Sequence, residues 1–425
     1  MSRPNFIFIM ADDMGCADLG CYGGRSNCSP VLDRMATEGA RFTNGYSNSP
    51  VCSPARFALM TGRYQHRLRG GFDEPIASGG PLLGLPPEHP TLPSLLRDAG
   101  YSTALIGKWH LGSPPWFSPE KSGYQEFFGF RSGAVDFFTH RSFAGPHDLW
   151  EGDAEAHVDG YLTDILSKRA ADYIRRKAND GPYMLSVHYS APHWPWETRD
   201  DRAEAERIKS LFHLDGGSVE IYQRMIHHMD EGIGWILQAI EETGGRDNTL
   251  VVFTSDNGAE RFSDTWPFVG KKMDLLEGGI RVPYVVRWPA RIKPNTVNDR
   301  IVMGMDWMPT FLAAAGVAPH RDYPLDGVDM FGPAVERKVF WRMIFRNQKA
   351  VRAGDWKWLC VDGNEFLFNL QKDQRERANL RYREPERFME LRRAYFEWDE
   401  GMPLIPEDAK YTLAYNEETL AKSVG

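Results

Sequence analysis

Five short apolar stretches punctuate the first two-thirds of this chain: "NFIFIMA", "YSTALIG", "PYMLSVHYS", "TLVVFTSD" and "RVPYVVRWP". Each is rich in β-branched or aromatic residues and bounded by turn formers, the pattern of a strand buried on both faces. The segments between them change period. Residues 161–178 place Leu162, Ile165, Leu166, Tyr173 and Ile174 on one helical face, and residues 222–240 do the same with Met225, Ile226, Met229, Ile233, Ile236, Leu237 and Ile240. Strands alternating with amphipathic helices predict an α/β fold: a large, mostly parallel sheet sandwiched between helices.

Beyond residue 324 the texture changes. "KVFWRMIF", "KAVRAGDWKWLCV" and "EFLFNL" follow one another at hairpin spacing, and a helical stretch over 384–399 comes after them. This predicts a smaller C-terminal antiparallel sheet closed by a helix. The expected organisation is a large α/β domain over residues 1–324 and a C-terminal subdomain over 325–425. With no linker between them, the two should share an interface.

A net charge of −8 without any run of like charge argues against nucleic acid or an anionic membrane as the main partner. No stretch approaches the ~18 apolar residues of a membrane span. The apolar run from Phe6 to Met10 is too brief for a signal-peptide core, so the sequence as written reads as cytoplasmic. Its five cysteines are an odd number in a long chain, against a disulfide framework. Cys16, Cys21 and Cys28 cluster, but at a spacing that fits no zinc template.

Parallel sheets collect ligands at the carboxyl ends of their strands. Two predicted strands end in acid there, "FIFIMADD" in Asp12 and Asp13 and "LVVFTSDNG" in Asp256 and Asn257. Three carboxylates and an amide form an all-oxygen set suited to Ca²⁺ or Mg²⁺. Either pair alone reads equally well as a helix cap; two pairs on two strands favour a metal. Lys108 and His110 in "LIGKWHLG", His193 in "SAPHWPW", and Lys271 and Lys272 in "VGKKMDLLEGGIRVP" also stand in turn-like settings around strand ends. Singly they are ordinary surface lysines and structural histidines; together they point at one crevice.

Cys52, in "SPVCSPARFALMTGR", stands where a helix begins. Such a cysteine is ordinarily a small buried apolar residue. Taken with "TGR", the opening "DD", "GKWHLG", "APH", "DNG" and "K-x4-EGG-x-RVP", however, "CSPAR" closely resembles the type I sulfatases of the alkaline phosphatase-like superfamily. The resemblance runs over residues 5–289 and resumes in "AVRAGDWKW" and "FLFNLQKDQRERANL".

The resemblance implies arylsulfatase-like hydrolysis of a small sulfate ester to inorganic sulfate and an alcohol or phenol. A maturation enzyme would recognise Pro54 and Arg56 and oxidise Cys52 to Cα-formylglycine. The hydrated aldehyde would attack sulfur, pass through a covalently sulfated enzyme, and release sulfate by hemiacetal collapse. Asp12, Asp13, Asp256 and Asn257, with the modified Cys52, would hold Ca²⁺, or else Mg²⁺ or Mn²⁺, and Asp256 would also accept the nucleophile's proton. Arg56 would position the hydroxyls, Lys108 would hold sulfate oxygens, and His110 would act as the base for collapse. His193 and Lys272 would bind sulfate and assist the departing oxygen. Lys272 is preferred to Lys271 because it stands five residues before Glu277, and the Gly-Gly after Glu277 reads as a tight structural turn.

Relatives that hydrolyse phosphonate monoesters or phosphodiesters tend to carry one opening aspartate and an Asp-His pair; the Asp-Asp and Asp-Asn here favour sulfate. A relative that binds anions without catalysis is disfavoured because every catalytic position is filled. Specificity is expected in surface loops over residues 70–93, 113–150 and 194–215. Trp116, Phe117, Phe137, Phe138, Trp150, Trp194 and Trp196 read as an aromatic wall for an aryl or alkyl group, or as core or an oligomer contact.

Overall fold

The structure, a computed structural model, describes residues 3–77 and 79–412. Its large sheet contains β1 (Asn5–Ala11), β2 (Ala40–Tyr46), β3 (Ser102–Lys108), β4 (Glu126–Phe130), β5 (Trp150–Glu151), β6 (Ala154–Glu155), β7 (Tyr183–His188), β8 (Thr249–Ser255), β9 (Tyr284–Arg287) and β10 (Thr296–Met303), in the order β10-β2-β9-β8-β1-β7-β3-β4-β5-β6. The five apolar stretches are the five contiguous central strands, β9 through β3. β8, β1, β7, β3 and β4 run parallel, so their carboxyl ends share one edge of the sheet. β9 is antiparallel to both β8 and β2, which points β2 the same way as β8.

The helices are α1 (Pro30–Glu38), α2 (Cys52–Thr61), α3 (Leu92–Asp98), α4 (Leu162–Lys177), α5 (Arg202–Arg207), α6 (Val219–Glu242), α7 (Glu277–Ile280), α8 (Trp307–Ala315) and α9 (Pro385–Glu400). The period-two alternation of β1 assigns its two faces. Ile7, Ile9 and Ala11 pack with Leu32 and Met35 of α1, Leu166 of α4 and Met229 of α6. Phe6, Phe8 and Met10 pack with Leu96 of α3 and Trp307 and Phe311 of α8.

The C-terminal sheet is antiparallel: β11 (Lys338–Arg342), β12 (Lys349–Ala353), β13 (Trp356–Val361) and β14 (Asn364–Asn369). β13 and β14 are joined by Asp362-Gly363 with φ of 50° and 82°, the positive pair a tight hairpin needs. One face packs on α9 through Val351, Trp358, Leu367, Leu391 and Tyr395. The other carries Val339, Trp341 and Leu359 against Tyr46, Val51 and Ile280 of the larger unit, so the two parts share a core. At that seam buried Lys357 bridges Glu277 at 2.9 Å and Glu376 at 2.8 Å, giving Glu277 a structural partner. The two glycines after Glu277 are needed for close approach rather than for unusual φ. A Cβ on Gly278 would stand 2.2 Å from the carbonyl of Gly270, and one on Gly279 2.1 Å from that of Asp274.

Candidate active site

The carboxyl edge brings the sequence-predicted residues together. Asp12 and Asp13 leave β1, Asp256 and Asn257 leave β8, Lys108 ends β3, His110 follows it, and His193 follows β7. The chain leaving β2 delivers Cys52 to the first position of α2, and Arg56 lies one turn further on. Every one of these side chains is buried. One polar residue pins the two acidic loops to each other: buried Asp18 accepts from Gly15 N and from Asp264 N, at 3.0 and 2.8 Å, and from the hydroxyls of Tyr222 and Ser263.

Cys52 Sγ lies 3.6 Å from Asp12 Oδ1 and 3.9 Å from Asp13 Oδ1. Potential ligand atoms of Asp12, Asp13, Cys52 and His193 all lie within 4.8 Å of one another. Three cations surround these carboxylates. Lys108 Nζ donates to Asp12 Oδ2, Lys272 Nζ donates to Asp13 Oδ2 at 2.7 Å, and Arg56 binds Asp256 Oδ2 through Nη2 at 2.8 Å and Nε at 3.2 Å. Lys271, by contrast, is exposed at the cavity rim. Asp256 makes its contacts with Arg56 and, through Oδ1, with the backbone N–H groups of Asp13 and Asn257. The carboxylates beside Cys52 are thus Asp12 and Asp13.

A carbonyl oxygen can only accept, so backbone carbonyls reveal the proton positions on two histidines. His110 Nε2 lies 2.9 Å from the carbonyl of Ile76 and must carry its proton there, leaving Nδ1 as the acceptor. His193 is the opposite case: Nδ1 donates to the carbonyl of Trp194 at 2.8 Å, and Nε2 receives the Lys272 ammonium at 3.3 Å. Both rings are held neutral well below the usual histidine range, first by burial and then by neighbouring lysines, although Asp13 works against this for His193. Burial pushes the Asp13 carboxyl up, but Lys272 and His193 outweigh it and its pKa lies below the ordinary value. Burial and then Asp12 hold Asp256 above its ordinary value, against the pull of Arg56. Burial also pushes the Cys52 thiol up, so as a plain cysteine it is a poor thiolate.

The donor set fits a hard divalent cation. Asp12, Asp13 and Asp256 converge, and Asn257 turns Nδ2 to Asp13 Oδ1 at 2.7 Å while its buried Oδ1 has no partner among the described residues. A buried amide that touches Asp13 and whose oxygen is left without a partner is a donor an oxygen-seeking ion can use. Cys16, Cys21 and Cys28 take no part. All five cysteines are free, and burial raises the Cys16 and Cys28 thiols to about 12 and about 11.

Above this floor opens a cavity of about 570 Å³, with Cys52, His110, His193 and Lys272 in its wall. The structure decides between the readings of the aromatic residues and corrects the expectation for residues 70–93. Of the seven aromatic residues named from sequence, only Trp194 lines it; Phe137, Phe138 and Trp196 are buried in the main core, where hydrophobic packing claims them. The aromatic wall instead combines Trp194 with Phe143 and Phe212, whose rings are 4.5 Å apart. Nor is the stretch over 70–93 wholly a surface loop: Gly70 through Glu74 are buried, and Ile76 reaches the cavity. A further residue escaped sequence reading. His188, at the end of β7, sets Nδ1 3.4 Å from Arg56 Nη1 and 3.2 Å from the carbonyl of Lys108.

This sheet, with an acidic, cation-ready crevice at its carboxyl edge and a small antiparallel sheet behind it, has the architecture of the alkaline phosphatase-like hydrolases. Comparison narrows the class. Residues 4–317 match the sulfatase family model, and residues 266–392 match the C-terminal model described as N-sulphoglucosamine sulphohydrolase, C-terminal. Human N-acetylgalactosamine-6-sulfatase is 34% identical over 369 residues, spanning 80% of this chain and 68% of that protein. Mouse arylsulfatase J is 33% identical over 340 residues, 78% of this chain and 55% of its own length. The crystal structure of Ps i-CgsB in complex with k-i-k-neocarrahexaose superposes with a TM-score of 0.86 at 29% identity, covering 95% of this chain and 94% of that one. The chain belongs to the sulfatase family and is a sulfuric ester hydrolase. No helix among the described residues is long and apolar enough to cross a membrane.

Proposed function

We propose that the protein hydrolyses a sulfate ester carried on a saccharide, using Cys52 after its conversion to Cα-formylglycine and a divalent cation, Ca²⁺ first, with Mg²⁺ or Mn²⁺ as alternatives. The observation that carries this reading is the position of Cys52, buried on the cavity floor beside Asp12 and Asp13 and ringed by Arg56, Lys108 and Lys272. Asp12, Asp13, Asp256 and Asn257, with the modified Cys52, would hold the ion. The hydrated aldehyde and its cation supply an oxygen nucleophile whose C–O bond can later break, a step closed to serine.

The chain's own residues do the rest. Arg56, fixed by Asp256, orients the modified side chain and offsets charge. Lys108 and Lys272 bring fixed positive charge to the sulfate oxygens in a buried site, where such charge acts strongly. The Lys272 ammonium is placed to stabilise and protonate the departing oxygen, with neutral His193 orienting it through Nε2 at 3.3 Å. His110, with Nδ1 free, accepts a proton. Phe143, about half exposed, extends the face begun by Trp194 and Phe212 and offers a stacking surface for a sugar ring, with Ser132, Ser142 and Glu260 supplying polar contacts around the cavity.

The names of similar proteins support the saccharide: one is an N-acetylgalactosamine-6-sulfatase, and another was crystallised in complex with k-i-k-neocarrahexaose. A panel of sulfated mono- and oligosaccharides, aryl sulfates, choline sulfate and phenyl phosphonate tests it. The expected result is the highest kcat/KM on a sulfated saccharide, with Phe143→Ala raising KM for that substrate about fivefold or more. A clear preference for the aryl sulfate would overturn the saccharide reading, and a preference for the phosphonate would overturn the choice of sulfate.

A further inference from the structure

The segment from Asp73 to Ala77 lies between the cavity and the C-terminal part of the chain, and it is held from both sides. Glu74 is buried, and its carboxylate accepts the backbone N–H groups of Ile344 at 2.8 Å and Phe345 at 3.0 Å, just past β11. Its own N–H donates to the carbonyl of Lys410, and its carbonyl accepts from Thr412 N, both at 2.9 Å. One residue thus takes part in four hydrogen bonds to two separate C-terminal stretches. Two residues on, Ile76 N–H donates to Ser53 Oγ at 2.9 Å, next to Cys52, and the Ile76 carbonyl accepts from His110 Nε2 at 2.9 Å. Gly133 lies close against the same ring, where a Cβ would stand 2.7 Å from Cε1 and 2.9 Å from Nε2.

Among the described residues the Ile76 carbonyl is the one hydrogen-bond partner of the His110 ring and so selects between its two neutral tautomers, since Nδ1 has no partner. An imidazole acts as a proton acceptor only through the nitrogen that lacks hydrogen. If the carbonyl shifts, Nε2 loses its acceptor, and the proton is free to move to Nδ1 and block it. Ile76 itself is held by Ser53 and by a hydrophobic cluster that includes Phe57 and Leu111, and Glu74 fixes the chain that leads into it from the C-terminal side of the cavity.

We propose that Glu74 is a positioning residue. By tying residues 74–76 to the C-terminal part of the chain it holds the Ile76 carbonyl against His110, keeping His110 in the Nε2–H tautomer with Nδ1 free to take a proton. The catalytic half of this inference rests on the reading of His110 as proton acceptor given above. It also gives the C-terminal strands and residues 410–412 a role in the reaction without any contact to the sulfate.

The test combines long-range ¹⁵N–¹H correlation spectra of histidine-labelled protein carrying unmodified Cys52 with steady-state kinetics of the matured enzyme. The His110 resonances are assigned by their loss in His110→Ala. Wild type should show a single Nε2–H tautomer at His110. Glu74→Ala should mix the tautomers and lower kcat roughly tenfold while KM stays within about twofold. Thr412→Pro removes the N–H given to the Glu74 carbonyl, at an exposed position on the cavity rim, and should shift the tautomer readout in the same direction if Glu74→Ala fails to fold. Glu74→Gln, which keeps one acceptor oxygen, should recover most of each. An unchanged Nε2–H tautomer in the folded variants, alongside an impaired His110→Ala, overturns the role of Glu74 alone. A wild-type kcat in His110→Ala overturns the reading of His110 and the catalytic half of the proposal with it.

Discussion

Replacing Lys272 by alanine probes how the site handles the departing oxygen. Its ammonium lies 2.7 Å from Asp13 Oδ2 and 3.3 Å from His193 Nε2, with 13% of the side chain exposed. At ~4 Å and an effective dielectric of ~20, a unit charge facing a full negative charge is worth about 4 kcal/mol. Losing one preorganised donor of this kind costs about 10²–10³ in rate. Only charge that develops on the leaving oxygen contributes to the chemical step. A sugar alcohol departs with nearly a full charge, whereas a nitrophenol spreads its charge into the ring. Lys272→Ala should therefore lower kcat/KM by about 10²–10³ on alkyl or sugar sulfates but only about tenfold on nitrophenyl sulfate. The slope of log(kcat/KM) against leaving-group pKa should steepen accordingly. Lys271→Ala, at the exposed rim, serves as the control and should stay within about threefold, since surface substitutions away from the reacting atoms change little. Metal content is measured in both variants, because Lys272 also touches Asp13. The same factor across all leaving groups, or an equal loss in Lys271→Ala, would refute the reasoning.

Asp13→Ala should lose bound cation and activity together, while Cys16→Ser, Cys21→Ser and Cys28→Ser keep both; elemental analysis showing the reverse pattern would reassign the metal site. Glu197 is fully buried, and burial, with Asp136 second, pushes its pKa up to about 9. The stability this carboxyl contributes is fully present below the unfolded value of about 4.5 and is lost as pH rises toward 9, at no more than about 1.4 kcal/mol per pH unit. Urea midpoints should fall between pH 6 and pH 8 in wild type and fall less in Glu197→Gln; parallel slopes would show that Glu197 does not hold its proton.

The central strands were legible because both their faces are buried, which leaves a nearly continuous apolar run as the only solution. The flanking strands were not. β2 reads "ARFTNGY" and β10 "TVNDRIVM", and in each the burial is broken by partly exposed positions that carry polar residues. β4, "EFFGF", is buried but too short to stand out from the aromatic-rich stretch around it. The acidic pairs were legible for a local reason: each immediately follows a strand end, and parallel strands deliver their ends to one edge. What stayed hidden depends on backbone groups or on distant loops. No side chain announces that the carbonyls of Ile76 and Trp194 set the tautomers of His110 and His193. Phe138 and Phe143 look equivalent in sequence, yet one packs on Tyr161 in the core while the other meets Phe212, 69 residues on, at the cavity.

The central claim is that Cys52 acts only after oxidation to the aldehyde. Peptide mass spectrometry across residues 49–63, run on the preparation used for kinetics, tests it most directly. The account predicts an aldehyde or its hydrate at Cys52, with specific activity proportional to the modified fraction as maturation is varied. Full multiple-turnover sulfatase activity from protein carrying only the thiol at Cys52 would contradict it.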